Sequence, residues 1–243
     1  MDKNKKNAKE MEKTQVFNVI ILDRSGSMEM IRRAAIDGFN ETLAGIKKAQ
    51  KDYAETQDHF VTLVTFCSCR TDLVFDKTPV AETKKLTLAD YEPCCCTPLY
   101  DAMGFTINSI QKHVKDIDDA VVVVTIITDG MENASKEFTG EAIKKLVEER
   151  RNDGWTFTYM GANQDSQAIA FDLNIRNARN FDYSDEGTIE SLAKDKKTRM
   201  ALFSRISEFK NQELNENVCY SREVRRNFYT NLADEAFDEE ENK

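Results

Sequence analysis

Apolar and polar positions alternate along this chain in blocks that are typical of β-strands followed by amphipathic helices. Continuous apolar runs predict buried strands, because a strand covered on both faces has no solvent side. Apolar residues that recur every three or four positions predict helices that pack one face on a sheet. The predicted strands are 16–22, 60–66, 71–76, 120–128, 156–160 and 178–182. The predicted helices are 28–51, a short one around 86–91, 101–115, 138–153, 166–173, 184–210 and 218–236.

This alternation predicts an α/β fold with a doubly wound, mostly parallel sheet and helices on both faces. The connection 67–70 is too short for a parallel crossover, so strands 60–66 and 71–76 should form a hairpin. Strand 71–76 should then be an antiparallel strand at the edge of the sheet. We divide the chain into a charged tail (1–14), one domain (15–210) and a C-terminal helical extension with an acidic tail (211–243). Whether the last helix docks on the domain or extends from it is left open.

Composition narrows the class of protein. The chain has 243 residues, of which 40% are hydrophobic and 32% charged, which suits one globular domain. The formal charge of −9 argues against a nucleic-acid partner, which would require clustered basic residues. No apolar stretch approaches the roughly 18 residues that cross a membrane, and residues 1–14 lack the apolar core of a signal peptide. We therefore expect a cytoplasmic protein with neither membrane nor nucleic acid as a partner.

Oxygen-bearing side chains stand where two predicted strands end. Asp23, Ser25 and Ser27 follow the first strand, Asp129 follows strand 120–128, and Thr97 precedes a helix. In a doubly wound sheet such strand ends meet at one edge, where ligands bind. Two carboxylates and three hydroxyls are hard donors that suit Mg²⁺, with Mn²⁺ or Ca²⁺ as alternatives, and do not suit Zn²⁺. Taken singly, the same residues are also common as helix caps and turn residues.

These residues carry a family resemblance. The sequence Asp23-Arg24-Ser25-Gly26-Ser27, followed by Thr97 and Asp129, resembles a von Willebrand factor type A (vWA) domain with a metal-ion-dependent adhesion site (MIDAS). The flanking residues at 97–102 and 128–130 resemble the bacterial intracellular members of that family. The resemblance covers residues 15 to about 183.

The resemblance implies a role for each of the five residues. Ser25, Ser27 and Thr97 would give hydroxyl oxygens to the metal, while Asp23 and Asp129 would bind it directly or through water. One coordination position would be left for an Asp or Glu side chain of a partner protein. The implied function is a non-enzymatic binding module, as in relatives that act as adaptors in larger assemblies.

The sequence departs from the family pattern beside Thr97. The family has glycine immediately before this threonine, whereas Cys95 and Cys96 stand here. Because cysteine resists the backbone angles that glycine allows, we expect the loop to differ from that of the family. Arg24, Met28 and Glu29 are expected to line the rim of the site.

Two other functions stay open from the residues alone. A metal-dependent hydrolase such as a phosphatase could use the same oxygen ligands, although His59 and His113 come with no persuasive nucleophile. A degenerate scaffold that binds no metal is the other.

Without an export signal, the six cysteines are expected to be thiols that simply pack, with a redox switch or a soft-metal site as the alternative. Five of them fall in two patches: Cys67, Cys69, Cys94, Cys95 and Cys96.

Overall fold

A computed structural model describes residues 12–129, 131–162, 166–181 and 185–241. The strands are β1 (Thr14–Asp23), β2 (Gln57–Cys67), β3 (Arg70–Pro79), β4 (Ala120–Thr128), β5 (Thr156–Ala162) and β6 (Asn177–Phe181). The helices are α1 (Arg32–Asp52), α2 (Leu99–Val114), α3 (Gly140–Asn152), α4 (Ser166–Asp172), α5 (Asp185–Glu216) and α6 (Arg222–Glu241). A 3₁₀ turn, Gly26–Ile31, leads from β1 into α1.

The strands form one sheet in the order β3-β2-β1-β4-β5-β6. All neighbouring pairs are parallel except β2 and β3, so β3 is the antiparallel edge strand that the short 67–70 connection predicts. The chain leaves β1 on one side to form β2 and later returns on the other side to form β4. The point where the strand order reverses therefore lies between the carboxyl ends of β1 and β4, where doubly wound sheets bind ligands.

Helices cover both faces of the sheet, and alternate residues of β1 divide between the two sides. Phe17, Val19 and Ile21 pack in the core under α2, α3 and α4. Ile20 and Leu22 pack on the opposite face against α1. A third apolar cluster on that second face includes residues of β4, α5 and α6. The predicted fold class is confirmed: the sheet is mostly parallel, and helices cover both of its faces. A strand such as β1, which is apolar on both faces, requires this cover on both sides.

The structure differs from the prediction in one segment and at several helix ends, including α6, which begins at Arg222 instead of 218 and ends at Glu241 instead of 236. Residues 86–91 form no helix, because α1 side chains take up their backbone hydrogen-bonding groups: Asn40 bonds both the N–H and the carbonyl of Leu86 at 2.9 Å, and Arg32 Nε donates to the Tyr91 carbonyl at 2.8 Å. The first helix opens with the 3₁₀ turn and becomes α-helical only at Arg32. Helix α5 continues to Glu216, six residues beyond the predicted end.

The C-terminal extension docks on the domain through a buried polar cluster. The Tyr229 hydroxyl of α6 donates to Asp119 Oδ1 at 2.8 Å, and Lys210 Nζ of α5 lies 2.7 Å from Asp119 Oδ2. Arg225 of α6 pairs with Glu213 of α5 at 2.8 Å. These groups are nearly inaccessible to water, so the two helices are held by paired buried charges as well as by apolar contacts. Among the described residues, no helix combines the length and apolarity that a bilayer span needs.

Candidate metal centre

Four of the five predicted site residues lie at the carboxyl edge of the sheet, at the ends of β1 and β4. Asp23 is the last residue of β1, and both it and Ser25 are fully buried. Ser27 is exposed at the start of the 3₁₀ turn. Asp129 follows β4 directly and is half-buried. Because β1 and β4 are paired in parallel, Leu22 opposite Ile127, their next residues emerge side by side.

Hydrogen bonds join these four residues into a continuous chain. The backbone N–H of Ser25 donates to Asp23 Oδ1 at 2.7 Å. The hydroxyl oxygens of Ser25 and Ser27 are 3.2 Å apart, and the Ser27 hydroxyl donates to Asp129 Oδ1 at 2.7 Å. The turn geometry of the Asp-x-Ser-x-Ser segment therefore places both serine hydroxyls between the two carboxylates.

Asp23 sits in an environment that penalises its negative charge. Burial raises its pKa to about 6, and the nearby charge of Asp129 acts in the same direction. Hydrogen bonds from the Thr128 hydroxyl, at 2.6 Å, and from Ser25 lower the pKa and offset part of that effect. These donors are neutral, so they solvate the Asp23 carboxylate without balancing its charge. Tyr91, which donates its hydroxyl to the backbone carbonyl of Asp23, is likewise neutral.

Thr97 reaches this edge through backbone contacts of its loop. It is buried, and its N–H donates to Asn133 Oδ1 at 2.9 Å while its carbonyl accepts from the Asn133 N–H at 3.1 Å. Two residues earlier, the Cys95 carbonyl accepts the N–H of Gly26 at 2.9 Å. A Cβ on Gly26 would meet that carbonyl oxygen at 3.3 Å, so the close approach of the two loops favours glycine. Thr97 is thus held beside the Asp-x-Ser-x-Ser turn.

The cysteine that departs from the family pattern adopts a backbone conformation that suits glycine. Cys95 has φ +63°, in the left-handed region. A non-glycine residue there costs on the order of 1–3 kcal/mol and persists only where the surroundings impose it. The loop before Thr97 therefore contains a residue in the left-handed conformation, and Cys95 adopts it at the cost of local strain.

Two expected rim residues turn away from the site. Arg24 is buried, with Nη1 2.6 Å from Asp72 Oδ2 and Nη2 donating to the Glu92 carbonyl at 3.0 Å. Met28 is fully buried in the core under α1. Of the three expected rim residues only Glu29 is exposed. The prediction was wrong for Arg24 and Met28 because the interior takes up both side chains.

Sequence reasoning missed three residues that hold the site. In the sequence Thr128 stands out only as a neighbour of Asp129, whereas in the structure its hydroxyl donates a hydrogen bond to Asp23. Tyr91 falls in the segment predicted as a short helix, and the sequence around Asn133 carries no signal for a contact with Thr97. Each contributes through a contact with a segment distant in the sequence, which no local pattern reveals.

The segment that carries Asn133 is itself anchored to the start of α2. Asp101 accepts backbone N–H bonds from Lys136, Glu137 and Phe138 at 2.8–2.9 Å. Glu132 accepts the N–H of Tyr100 at 2.9 Å. The N–H bonds lower the pKa of Asp101 despite the opposing effect of its burial. These carboxylates fix the loop after β4 and, through Asn133, the position of Thr97.

The donor set fits a hard divalent cation. Every predicted ligand offers oxygen, and two of the five are carboxylates, one of them buried among neutral hydrogen-bond donors. A divalent cation between Asp23 and Asp129 would relieve their mutual repulsion and the cost of burying charge. The metal-binding role of the five residues stays a prediction that the geometry permits.

Comparison with known proteins gives the fold and no closer relationship. No family model and no curated protein matches the sequence. Among solved structures, a von Willebrand factor type A protein from Catenulispora acidiphila superposes with a TM-score of 0.53 and 16% identity, over 78% of this chain and 43% of that one. The pilus adhesin SpaC from Lactobacillus rhamnosus GG has a TM-score of 0.55 and 12% identity, over 79% and 31% of the two chains.

A parasite protein has a similar fold. The manganese-loaded TRAP protein of Plasmodium vivax has a TM-score of 0.50 and 14% identity, over 74% of this chain and 71% of that one. The present chain thus spans less than half the length of the first two structures. At these identities the likeness concerns the fold alone. From its sheet order, its helical layers and these superpositions, the chain has the fold of a von Willebrand factor type A domain.

Proposed function

We propose that this protein is a metal-dependent protein-binding module. It holds Mg²⁺ among Asp23, Ser25, Ser27, Thr97 and Asp129 and uses the cation to recognise an Asp or Glu side chain of a partner protein. One observation carries the proposal: at the switch point of the sheet, two carboxylates from adjacent parallel strands are linked through the backbone N–H of Ser25 and the hydroxyls of Ser25 and Ser27.

The charge balance around Asp23 supports the cation. Its donors are the neutral Ser25 N–H and Thr128 hydroxyl, while the adjacent Arg24 is engaged with Asp72. Mg²⁺ favours octahedral oxygen coordination and keeps several waters, which a partly exposed site with Ser27 and Asp129 at its surface can accommodate. Mn²⁺ has similar preferences, and the Plasmodium protein of the same fold is described as manganese-loaded. Ca²⁺ is the third candidate.

The partner's carboxylate follows from the charge that remains on the metal. Two aspartates neutralise a divalent cation only formally, because a bound ion still attracts anionic oxygen at a position held by water. Ser27 and Asp129 stand at the surface, so such an oxygen could approach from outside the protein. A binding role also suits the fold, which the pilus adhesin shares.

We propose a non-enzymatic role because neither histidine of the chain, both of which lie among the described residues, is placed to act as a general base at the site. His59 is buried on the face of the sheet under α5, where its ring packs edge-on against Phe203. His113 lies near the far end of α2, roughly 20 Å of helix away from Leu99. The cytoplasmic location expected from the sequence also stays a prediction.

Calorimetric titration with Mg²⁺ and with Mn²⁺ tests the metal half of the proposal. The wild type should bind one equivalent, and the double variant Ser25→Ala, Ser27→Ala should bind at least tenfold more weakly. Ser109→Ala removes an exposed hydroxyl from α2 and should behave as wild type. Equal heats for all three proteins would show that the metal binds without these serines, and no heat for the wild type would leave a scaffold that binds no metal.

The second half of the proposal, recognition of a partner, is tested by capturing a partner protein. Its retention should depend on both the cation and the two serines. The wild type should retain a partner in Mg²⁺ that is lost in EDTA and lost with the double-serine variant. Replacing the partner's contacting Asp or Glu by its amide should abolish retention. Turnover of p-nitrophenyl phosphate that requires Mg²⁺ and disappears in Asp129→Ala would instead establish a hydrolase.

A further inference from the structure

Cysteine thiols from two separate segments meet beside the oxygen site. Cys67 ends β2, Cys69 lies in the β2–β3 turn, and Cys94 lies in the loop before α2; their Sγ atoms all lie within 4.8 Å of one another. The Sγ atoms of Cys67 and Cys94 are 3.4 Å apart, well beyond the bond of about 2.0 Å in a disulfide. The exposed Cys95 thiol is adjacent to those of Cys69 and Cys94, and this proximity raises its pKa. We call these four residues the thiol cluster.

Backbone hydrogen bonds bring the two segments together without help from the thiols. The N–H of Ser68 donates to the Cys96 carbonyl at 2.9 Å, and the N–H of Cys96 donates to the Ser68 hydroxyl at 3.1 Å. The N–H of Cys94 donates to the carbonyl of Arg24 at 2.8 Å. The thiol cluster is therefore preorganised by contacts to which its sulfur atoms do not contribute.

The strained conformation of Cys95 points to a use for its side chain. Its φ of +63° is one that glycine adopts without strain, so a cysteine here costs folding stability. The side chain is adjacent to two other thiols and is exposed, so burial of apolar surface does not compensate for that cost. Local departures from the residue type that the backbone favours are expected where a side chain has a function.

The spacing of the sulfur atoms matches a zinc–thiolate centre. Zn²⁺ binds thiolate at about 2.3 Å in a tetrahedron, which sets neighbouring sulfur atoms about 3.8 Å apart. The Sγ atoms of Cys67 and Cys94 are 3.4 Å apart, slightly closer than this value. The Sγ atoms of Cys67, Cys69 and Cys94 all lie within 4.8 Å of one another, so the upper limit is slightly longer than this value. Mg²⁺ and Ca²⁺ take oxygen ligands, so a cation here would differ from that of the oxygen site.

We propose that the thiol cluster is a second metal site, which binds one Zn²⁺ through Cys67, Cys69 and Cys94, whose sulfur atoms are mutually close, and through Cys95, whose side chain must turn toward them. Each thiol that binds releases its proton to solvent and coordinates as thiolate. The ion would staple the β2–β3 turn to the loop that leads to Thr97, and through the Cys95 carbonyl to Gly26. The proposal does not depend on metal at the oxygen site.

Cobalt substitution tests the site in the full-length protein after reduction. The variant Asp129→Ala serves as the background, because it disables the oxygen site and leaves the thiol cluster intact. One equivalent of Co²⁺ should give thiolate-to-metal charge-transfer absorption in the near ultraviolet, and one equivalent of Zn²⁺ should abolish it. Adding Cys69→Ser or Cys95→Ser should weaken Zn²⁺ binding at least tenfold. Adding Cys96→Ser or Cys219→Ser should leave it unchanged.

Alkylation of wild-type protein avoids any folding defect in the variants. With Zn²⁺ bound, iodoacetamide should modify Cys96 and Cys219 rapidly and the exposed cluster thiols Cys69 and Cys95 at least tenfold more slowly; EDTA should remove the difference. Absence of thiolate absorption, equal alkylation of the cluster with and without Zn²⁺, or a Cys67–Cys94 disulfide that persists after mild reduction would overturn the proposal. Loss of Mg²⁺ binding alone would overturn only the function proposed for the oxygen site.

Discussion

The Ser27 hydroxyl donates a hydrogen bond to Asp129 at 2.7 Å, although the two residues are 102 positions apart. This bond joins the turn after β1 to the end of β4 and completes the chain of hydrogen bonds that begins at the buried Asp23. It also places the second carboxylate of the site at the surface, where a cation can be reached from solvent.

Asp129→Ala should remove the stabilisation that Mg²⁺ provides. A ligand present at one hundred times its dissociation constant stabilises the folded state by about 2.7 kcal/mol, which thermal denaturation with and without Mg²⁺ would detect in the wild type. The variant should show almost none of this shift. Without metal it should be as stable as wild type or slightly more so, because the charge of Asp129 opposes ionisation of Asp23. Asp116→Ala, which removes an exposed carboxylate, is the control. An undiminished Mg²⁺ shift in Asp129→Ala would contradict the assignment.

Asn133→Ala should weaken cation binding although Asn133 is not a proposed ligand. Its Oδ1 atom accepts the N–H of buried Thr97 at 2.9 Å, and loss of that acceptor frees the loop that positions the threonine. We expect Mg²⁺ affinity to fall about tenfold, and stability without metal to fall by about 1–3 kcal/mol for the unsatisfied donor. Calorimetry and urea denaturation measure the two effects. Asn152→Ala, at the exposed end of α3, should change neither, and unaltered affinity in Asn133→Ala would show that Thr97 is positioned without this contact.

Asp119→Ala should be among the most destabilising single substitutions in the chain. Asp119 accepts hydrogen bonds from Thr14, Lys210 and Tyr229 and is 6% exposed. Its removal leaves the Lys210 ammonium buried with a single carboxylate partner, Glu213, and should cost about 3–5 kcal/mol in urea denaturation. Asp118→Ala alters an exposed carboxylate next to it and should stay within about 0.5 kcal/mol of wild type. Similar midpoints for the two variants would mean that α5 and α6 do not depend on this cluster.

His59 should make the protein less stable as the pH falls. Burial, assisted by the charge of Arg199, lowers its pKa to about 3, whereas an unfolded chain takes up the proton near 6.5. Its neutral ring accepts from Asn18 Nδ2 at 3.4 Å and lies 3.1 Å from Gln57 Oε1. Between pH 6.5 and 3 only the unfolded state is protonated at this residue, so stability should fall by up to about 1.4 kcal/mol per pH unit.

The difference between wild type and His59→Gln isolates this effect. The variant should show a shallower decline in unfolding free energy between pH 6.5 and 4, as followed by urea denaturation. Asp23, whose pKa is raised, acts in the opposite sense but is present in both proteins. His113→Gln, at an exposed position of α2, should retain the wild-type slope. A slope in His59→Gln as steep as that of the wild type would contradict the expected burial of a neutral imidazole.

The layered architecture could be predicted from the sequence because it depends on local pattern. Residues 120–128 are apolar on both faces, which requires a central strand, and the short 67–70 connection permits only a hairpin. The 86–91 segment could not be predicted, since Asn40 and Arg32, far away in sequence, take the hydrogen bonds that a helix would have used. The end of α5 could not be predicted for a related reason. The helix continues to Glu216 because it packs beside α6, where Glu213 pairs with Arg225, a contact between two separate helices.

By itself, the sequence determined which residues could bind a cation, since oxygen donors and their places at strand ends are properties of residue type and order. Only the tertiary structure decided that Ser27 bonds Asp129, that Arg24 turns to Asp72, and that cysteines from two segments converge. The physical reason is that contacts between distant segments depend on the strand order of the sheet and on how its loops pack. Neither of these produces a periodic pattern of residues along the chain.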